Sequence, residues 1–352
     1  MVSCVSCGLY KDAVTPKMAP YGKGKKGIMV IGDAPGEVDD VKGIPFQGKT
    51  ERVLRKKYKE LGIDLFEDCI CLNAVNCRPV DGGGQNRKPT DHEIACCRRK
   101  VLEAIKTFRP KVLILHGVVA VQSVINPTRI GYQQGLATWR GWTIPDRESG
   151  AWICPTFHPT YFVRLEEEDE SEVIWTQDLQ QAFEKVDEPF PFIRPEATCV
   201  EIADDIEGVL KRYDVPGSYL AFDIEATGIK PYNIEDHRIV SIAFCNEENR
   251  AVAIPFPTER KHLRLLKRLL ENPEIKKIAA NMKYEDNWLV TLHGIHTHPW
   301  GFDTMQAAHI LDNRPGISGL KFQAYVRFGT PPYDDEVAPY MRSSSANTPN
   351  RM

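Results

Sequence analysis

No apolar run among the 352 residues is long enough to span a bilayer, and no signal-peptide pattern is present. Neither sign of charge dominates: the formal net charge is -3, so no global field announces a nucleic acid and any basic surface must be local. No internal repeat is visible. A disulfide framework belongs to small secreted chains, so the ten cysteines are read as favouring metal ligation in a cytosolic setting. At 42% hydrophobic residues the chain can fill real cores, and its length suits two domains.

Four cysteines stand out: Cys4 and Cys7 as a close pair, then Cys77, then Cys97. Thiolates are soft ligands, and four from separated segments suit zinc or an iron–sulfur cluster. The wide gap does not fit a compact zinc ribbon. The cysteines would instead tie the N-terminus to a loop far along an enzyme-like domain.

In the first half, short apolar runs at Ile28–Ile31, Cys69–Leu72, Val112–Leu115 and Trp152–Cys154 predict buried strands. Helical patterns around 47–61, 91–108 and 117–125 lie between them. That alternation predicts a parallel sheet with helices on both faces. Glu166 to Glu172 is almost all acidic and reads as a solvated loop or helix start. Pro189, Pro191 and Pro195 then break the periodicity, predicting a stiff linker over 187–196 between domains at 1–186 and 197–352. Beyond it, Tyr219–Phe222, Ile239–Phe244 and Ala251–Ile254 are closely spaced strands, which predicts an antiparallel start. A helix over Lys261–Leu270, a strand over Lys277–Ala280 and a helix over Asp286–Leu292 follow. The polar tail from Ser343 reads as disordered.

Gly32-Asp33-Ala34-Pro35-Gly36 follows the first strand directly. Ligands of open α/β sheets gather at the carboxyl ends of strands. Asp39, Asp40, Gly43, Pro45 and Phe46 follow in the same loop, Asn73 ends the second strand, and His158-Pro159-Thr160 follows the fourth. An acid, an aromatic, an amide and an imidazole are thereby expected on one edge. Singly, each has a plain reading: a satisfied core histidine, a core phenylalanine, a turn-capping asparagine. Their joint spacing carries the case.

These motifs, with Asn73-Ala74-Val75-Asn76-Cys77-Arg78-Pro79 and Asn86-Arg87-Lys88-Pro89-Thr90, resemble the family 4 uracil-DNA glycosylases over roughly residues 1–185. The resemblance implies a three-layer α/β/α domain with a central parallel sheet. It also implies a four-iron, four-sulfur cluster on Cys4, Cys7, Cys77 and Cys97, with Cys96 competing for the last place and Cys69, Cys71 and Cys154 left to the core. It implies a flipped uracil, bound by Ala34, Gly36, Asp39, Phe46 and Asn73. Phe46 would stack on the ring and the Asn73 amide would read its edge. His158 would stabilise charge developing on uracil O2, and Asp33 would orient water and tolerate the cationic sugar. Arg78, Arg87, Lys88 and Arg164 are phosphate-contact candidates. The chain departs from the family where Asp33 and Asp39 replace glutamates. It departs again where Lys49-Thr50-Glu51 replaces small residues and where Gly82-Gly83-Gly84 lengthens a loop. A non-catalytic DNA-binding iron–sulfur module is therefore the alternative reading.

Gly43 to Thr50 also satisfies the P-loop pattern, G-x-x-x-x-G-K-[ST]. It is set aside. A P-loop leaves a strand directly, whereas Glu37–Lys42 reads as charged loop, and Pro45 lacks the N–H that a phosphate cradle needs.

In the second half, Asp223-Ile224-Glu225 places two acids on one face of a strand. Asn281 through Asp286 adds Glu285 and Asp286 at a strand-to-helix junction. Clustered carboxylates suit hard divalent ions such as magnesium or manganese, which activate water and stabilise a leaving oxygen in phosphodiester hydrolysis. The segment over roughly 196–340 resembles the DEDD 3′–5′ exonucleases, above all the proofreading domain of family A DNA polymerases. The resemblance implies a ribonuclease H-like mixed sheet and a divalent site on Asp223, Glu225, Glu285 and Asp286. The family's third motif is not seen. Tyr333-Asp334-Asp335 has the right letters but sits too early, so an incomplete domain with weak or no nuclease activity is expected. The expected whole is a monomer that acts on DNA, with a DNA polymerase in cis or trans as partner.

Overall fold

The computed structural model describes residues 4–125, 135–163, 170–191, 196–199, 203–232, 237–330, 336–343, 345 and 348–352. The chain divides into two compact units, Met1–Pro191 with Ala324–Pro332 and Phe192–Gln323 with Tyr333–Met352.

The first unit is built on β1 (Ile28–Gly32), β2 (Cys69–Asn73), β3 (Val112–His116), β4 (Ile144–Asp146) and β5 (Ala151–Thr156), in the order β2-β1-β3-β5-β4. All pairings are parallel except β4 with β5. Every residue of β1, β2, β3 and β5 is buried, as a parallel sheet covered on both faces requires. The four predicted strands are present. β4 was not foreseen: at three residues, with Pro145 in the middle, it has no readable alternation and suits only an edge.

Helices α1 (Glu37–Lys42), α2 (Lys49–Glu60), α3 (Asp91–Phe108), α4 (Val118–Val124), α5 (Leu136–Trp139), α6 (Thr160–Val163) and α7 (Glu170–Glu184) complete the unit. The stretch expected as charged loop is α1. It ends at Gly43, whose φ of 67° suits a left-handed cap. Thr90 and Glu93 close a capping box at the start of α3: Glu93 N–H donates to Thr90 Oγ1 at 3.3 Å, and Thr90 N–H donates to Glu93 Oε2 at 2.8 Å. Tyr58 of α2 and Trp175 and Leu179 of α7 are fully buried in the core, where Phe162 stacks on Trp175 at 4.4 Å. Phe190, in the predicted linker, packs edge-on against Trp152 at 5.9 Å.

The second unit holds a mixed six-stranded sheet. Its elements are β6 (Glu196–Cys199), α8 (Ala203–Tyr213), β7 (Tyr219–Ala226), β8 (Ile239–Glu247), β9 (Arg250–Pro255), α9 (Arg260–Leu270), β10 (Lys276–Ala279), α10 (Met282–His293), β11 (Trp300–Asp303) and α11 (Thr304–Leu311). The strand order is β11-β10-β7-β8-β9-β6. β7, β8 and β9 form the expected antiparallel meander, while β10 and β11 run parallel to β7. Leu220, Phe222, Ile224 and Ala226 of β7 enter a core with Phe244, Leu266, Leu270 and Trp288. Asp223 and Glu225 therefore share the opposite face. At the tail, Asn350 N–H donates to Thr227 O at 2.7 Å, so residues near the C-terminus are held against the end of β7.

Candidate active sites

The first site gathers at the carboxyl ends of β1 and β5. A cavity of about 780 Å³ opens there, with Asp33, Gly36, Glu51, Lys88, His158 and Thr160 among its walls. Gly117, between β3 and α4, adopts φ 94°, and a Cβ on it would stand 2.8 Å from Asp33 Oδ1 and 3.0 Å from His158 Cβ. Only glycine lets the acid and the imidazole close in this way.

Asp33 Oδ1 is buried with no hydrogen-bond partner. Burial pushes the Asp33 carboxyl upward, while His158, Lys88 and the backbone N–H groups of Ala120 and Val119 favour the ionised form. For His158, burial pushes the imidazole down, against the pull of Asp33. Thr160 fixes its tautomer: the Thr160 backbone N–H donates to His158 Nδ1 at 3.2 Å, and the Thr160 hydroxyl lies 2.7 Å from the same nitrogen. A nitrogen that accepts an N–H carries no proton of its own, so the neutral ring holds its proton on Nε2.

Phe46 and Asn73 both close on Gly32, the residue before Asp33. A Cβ on Gly32 would stand 2.7 Å from Asn73 Oδ1 and 3.0 Å from Phe46 Cζ. Both are buried, and Phe46 holds the left-handed φ of 61°. Asp39 maintains that conformation: its Oδ2 accepts from Gly36 N–H at 3.1 Å and its Oδ1 accepts from Gln47 N–H at 2.6 Å, one residue past Phe46. Its oxygens are thus engaged by the loop backbone. Ala34 and Gly36 line the cavity as expected. The P-loop-like segment follows α1, not a strand, in keeping with its rejection.

Among the basic candidates, Arg87 is engaged by Glu93, with Nη1 to Oε2 at 2.9 Å and Nη2 to Oε1 at 2.6 Å. Arg78 Nε donates to Asn86 Oδ1 at 2.6 Å. Lys88 is exposed on the cavity wall. Arg164 lies outside the described residues.

Sequence reasoning did not single out three contributors. Thr160 was legible only as the neighbour of His158. Glu51 looked like a departure from small residues, yet it lines the cavity, where burial and then the nearby Asp39 push its carboxyl up. His116 lay inside an apolar strand with no local signal.

The cysteines come together from three segments. Cys97 lies within the electrostatic reach of Cys77, Cys7 and Cys4, and burial pushes its thiol up to about 12. Cys77 likewise interacts with Cys7 and Cys4, and accepts a hydrogen bond from Lys17 N–H at 3.2 Å. Cys96, the neighbour of Cys97 on α3, also hydrogen-bonds the Cys7 thiol, with Ser6 Oγ at 3.2 Å and His92 Nε2 at 3.6 Å. Among the described residues no group of three or more such donors stands at the spacing of a single metal ion. The convergence of four thiols and an N–H donor to sulfur fit a larger thiolate-held group.

In the second unit, Glu285 of α10 is buried and its Oε2 has no partner. Burial, then Asp223 and Asp303, raise its carboxyl to about 8. Tyr284 lies in the field of Glu225, Glu285 and Asp223, and its hydroxyl donates to Gly228 O at 3.1 Å. Asp223, Glu225 and Glu285 are therefore brought together, while Asp286 is the outward neighbour on α10. Asp303, unassigned from sequence, accepts from the N–H groups of Asn281 and Met282 at 3.1 and 2.9 Å and fixes the start of α10. Among the described residues these carboxylates do not stand three together at the spacing of a single metal ion either; the orphaned Glu285 oxygen beside them is the feature a divalent cation would satisfy.

Residues 19–180 match the family model described as the uracil DNA glycosylase superfamily, and residues 197–325 match the one described as 3'-5' exonuclease. A type-4 uracil-DNA glycosylase of Thermotoga maritima is 31% identical over 51% of this chain and 87% of its own length. One of Saccharolobus solfataricus is 38% identical over 44% of this chain and 70% of its own length. The chain belongs to the type-4 uracil-DNA glycosylase family through its first unit, and its second is a 3′–5′ exonuclease domain of the family A polymerase kind. The DNA polymerase of Bacillus phage SP01 is 23% identical over 90% of this chain, which spans 36% of that protein's length. Among solved structures, Escherichia coli RNase D is 16% identical with a TM-score of 0.32, over 41% of this chain and 36% of that one. Among the described residues no helix is long and apolar enough to cross a membrane.

Proposed function

We propose that this protein excises uracil from DNA by hydrolysing the N-glycosidic bond. The observation that carries the reading is the pairing of Asp33 and His158 across Gly117, with the proton of His158 on the nitrogen that Thr160 leaves open. A base inside a duplex is out of reach, so it is extruded into the cavity. As the C1′–N1 bond breaks, its electron pair moves into the uracil ring and charge gathers on O2, where the His158 Nε2–H donates. The sugar becomes cationic. Ionised Asp33 stabilises it and orients the water whose oxygen bonds C1′; that water gives its proton to Asp33, which returns it to solvent, and uracil departs as the anion and is protonated in solvent. Asn73 reads the pyrimidine edge, Phe46 stacks on the ring, and Ala34 and Gly36 approach it by backbone. Asp39 acts by holding the Phe46 loop. Lys88 and Arg78 contact phosphate, as does Arg164; Arg87 braces the loop that carries Lys88 and Arg78.

Cys4, Cys7, Cys77 and Cys97 would hold a four-iron, four-sulfur cluster, which ties the N-terminal segment to the loop after β2. In the second unit, Asp223, Glu225 and Glu285 would hold magnesium or manganese, with Asp286 beside them. Such ions supply an activated water for phosphodiester hydrolysis.

The test is incubation of the protein with a uracil-containing oligonucleotide in the presence of a chelator of divalent ions. Abasic product that disappears in His158→Ala supports the reading. Binding without product would favour the non-catalytic DNA-binding module, for which Glu51 on the cavity wall is the specific observation.

A further inference from the structure

His116 is fully buried at the end of β3, away from the cavity wall, yet both its ring nitrogens are committed. Its Nδ1 lies 2.9 Å from Phe157 O, and its Nε2 lies 2.9 Å from the Tyr58 hydroxyl. A carbonyl can only accept, so Nδ1 carries the proton and Nε2 accepts from the Tyr58 O–H. Trp175 closes the site edge-on at 6.5 Å from the ring. Phe157 immediately precedes His158, and Tyr58 sits on α2, whose first turn lines the cavity.

We infer that His116 is a positioning residue: the chain Tyr58 O–H to His116 to Phe157 C=O fixes the peptide that carries His158, and so fixes where the His158 Nε2–H points. A buried hydrogen-bond chain has one arrangement that satisfies all its members, so it holds a loop more firmly than apolar packing does. Sub-ångström placement matters because the donor must meet charge that exists only in the transition state. Apolar replacement of His116 would leave the Phe157 carbonyl and the Tyr58 hydroxyl unpaired, and the loop would relax to find other partners. Burial keeps the ring neutral, so the chain persists across the neutral range.

The inference rests on the proposed glycosylase reading, and two readouts separate them. The full chain is labelled with ¹⁵N-histidine, and the ring signals of His158 are assigned by their loss in His158→Ala. Wild type is expected to show the neutral Nε2–H tautomer. In His116→Phe, His158 is expected to become a tautomer mixture, single-turnover excision to slow by about 10–100-fold, and Kd for the uracil oligonucleotide to hold within about twofold. His116→Gln retains an amide N–H for Phe157 O and is expected to recover most of both losses. An unchanged His158 tautomer and rate in His116→Phe would overturn the inference, as would a Gln variant impaired as badly as Phe. If His116→Phe does not fold, the Gln variant decides: a wild-type tautomer supports the inference and a mixed one refutes it. If wild type excises no uracil, the functional reading fails while the ring signals still decide positioning.

Discussion

Asp33 and His158 meet across the space a Cβ would fill on Gly117, 2.8 Å from the acid's Oδ1 and 3.0 Å from the imidazole's Cβ. That gap links backbone conformation to chemistry. Gly117→Ala is expected to cost about 2 kcal/mol or more, since it adds left-handed strain to a clash. Excision should fall further than stability alone explains. Denaturant unfolding and single-turnover kinetics on the same protein check this.

Lys88 and Arg87 are adjacent but differ in their partners. Lys88→Ala is expected to weaken DNA binding and lower the salt slope of log K by about 1. Arg87→Ala removes the two-pronged pair with Glu93. It is expected to cost about 1–3 kcal/mol of stability and leave the salt slope nearly unchanged. Binding titrations at several salt concentrations distinguish them.

The N-terminal half of this fold was readable because its strands are wholly buried apolar runs and its loops carry clustered motif residues. Ile28–Ile31 and Cys69–Leu72 could hardly be other than core strands. β4 and β11 were not readable, being only three and four residues long, with Pro145 in one and Gly301 in the other. Asp33 and His158 were legible by spacing. What spacing could not show was which polar groups would be consumed locally. Asp39 looked like a base contact and is engaged by Gly36 and Gln47 N–H; Arg87 looked like a phosphate contact and is engaged by Glu93. Such pairings depend on side-chain direction after folding. The Tyr58–His116 contact joins residues 58 apart in sequence, and nothing local signals it.

Burial drives the His116 imidazole down from 6.5 to about 3. Between those values the unfolded chain binds a proton that the folded chain refuses. Stability from this group is therefore complete above pH 6.5 and is lost as pH falls toward 3. Its ceiling is about 5 kcal/mol. Denaturation curves from pH 7 to 4 should fall less steeply for His116→Gln than for wild type.

Cys97 and Cys96 are neighbours on α3 with different surroundings. Cys97 faces Cys77, Cys7 and Cys4, whereas Cys96 engages Cys7, Ser6 and His92. Cys97→Ser is expected to lose most of the iron of anaerobically prepared protein, and Cys96→Ser to keep it. Iron and sulfide analysis with the visible spectrum reads the outcome.

The most direct measurement is single-turnover cleavage at a lone uracil in an end-labelled strand, with divalent ions chelated, for wild type and His158→Ala. An alkali-labile site in wild type, reduced at least about a hundredfold in the variant, is the expected result. An intact strand with wild type, or equal cleavage by both proteins, would contradict the account.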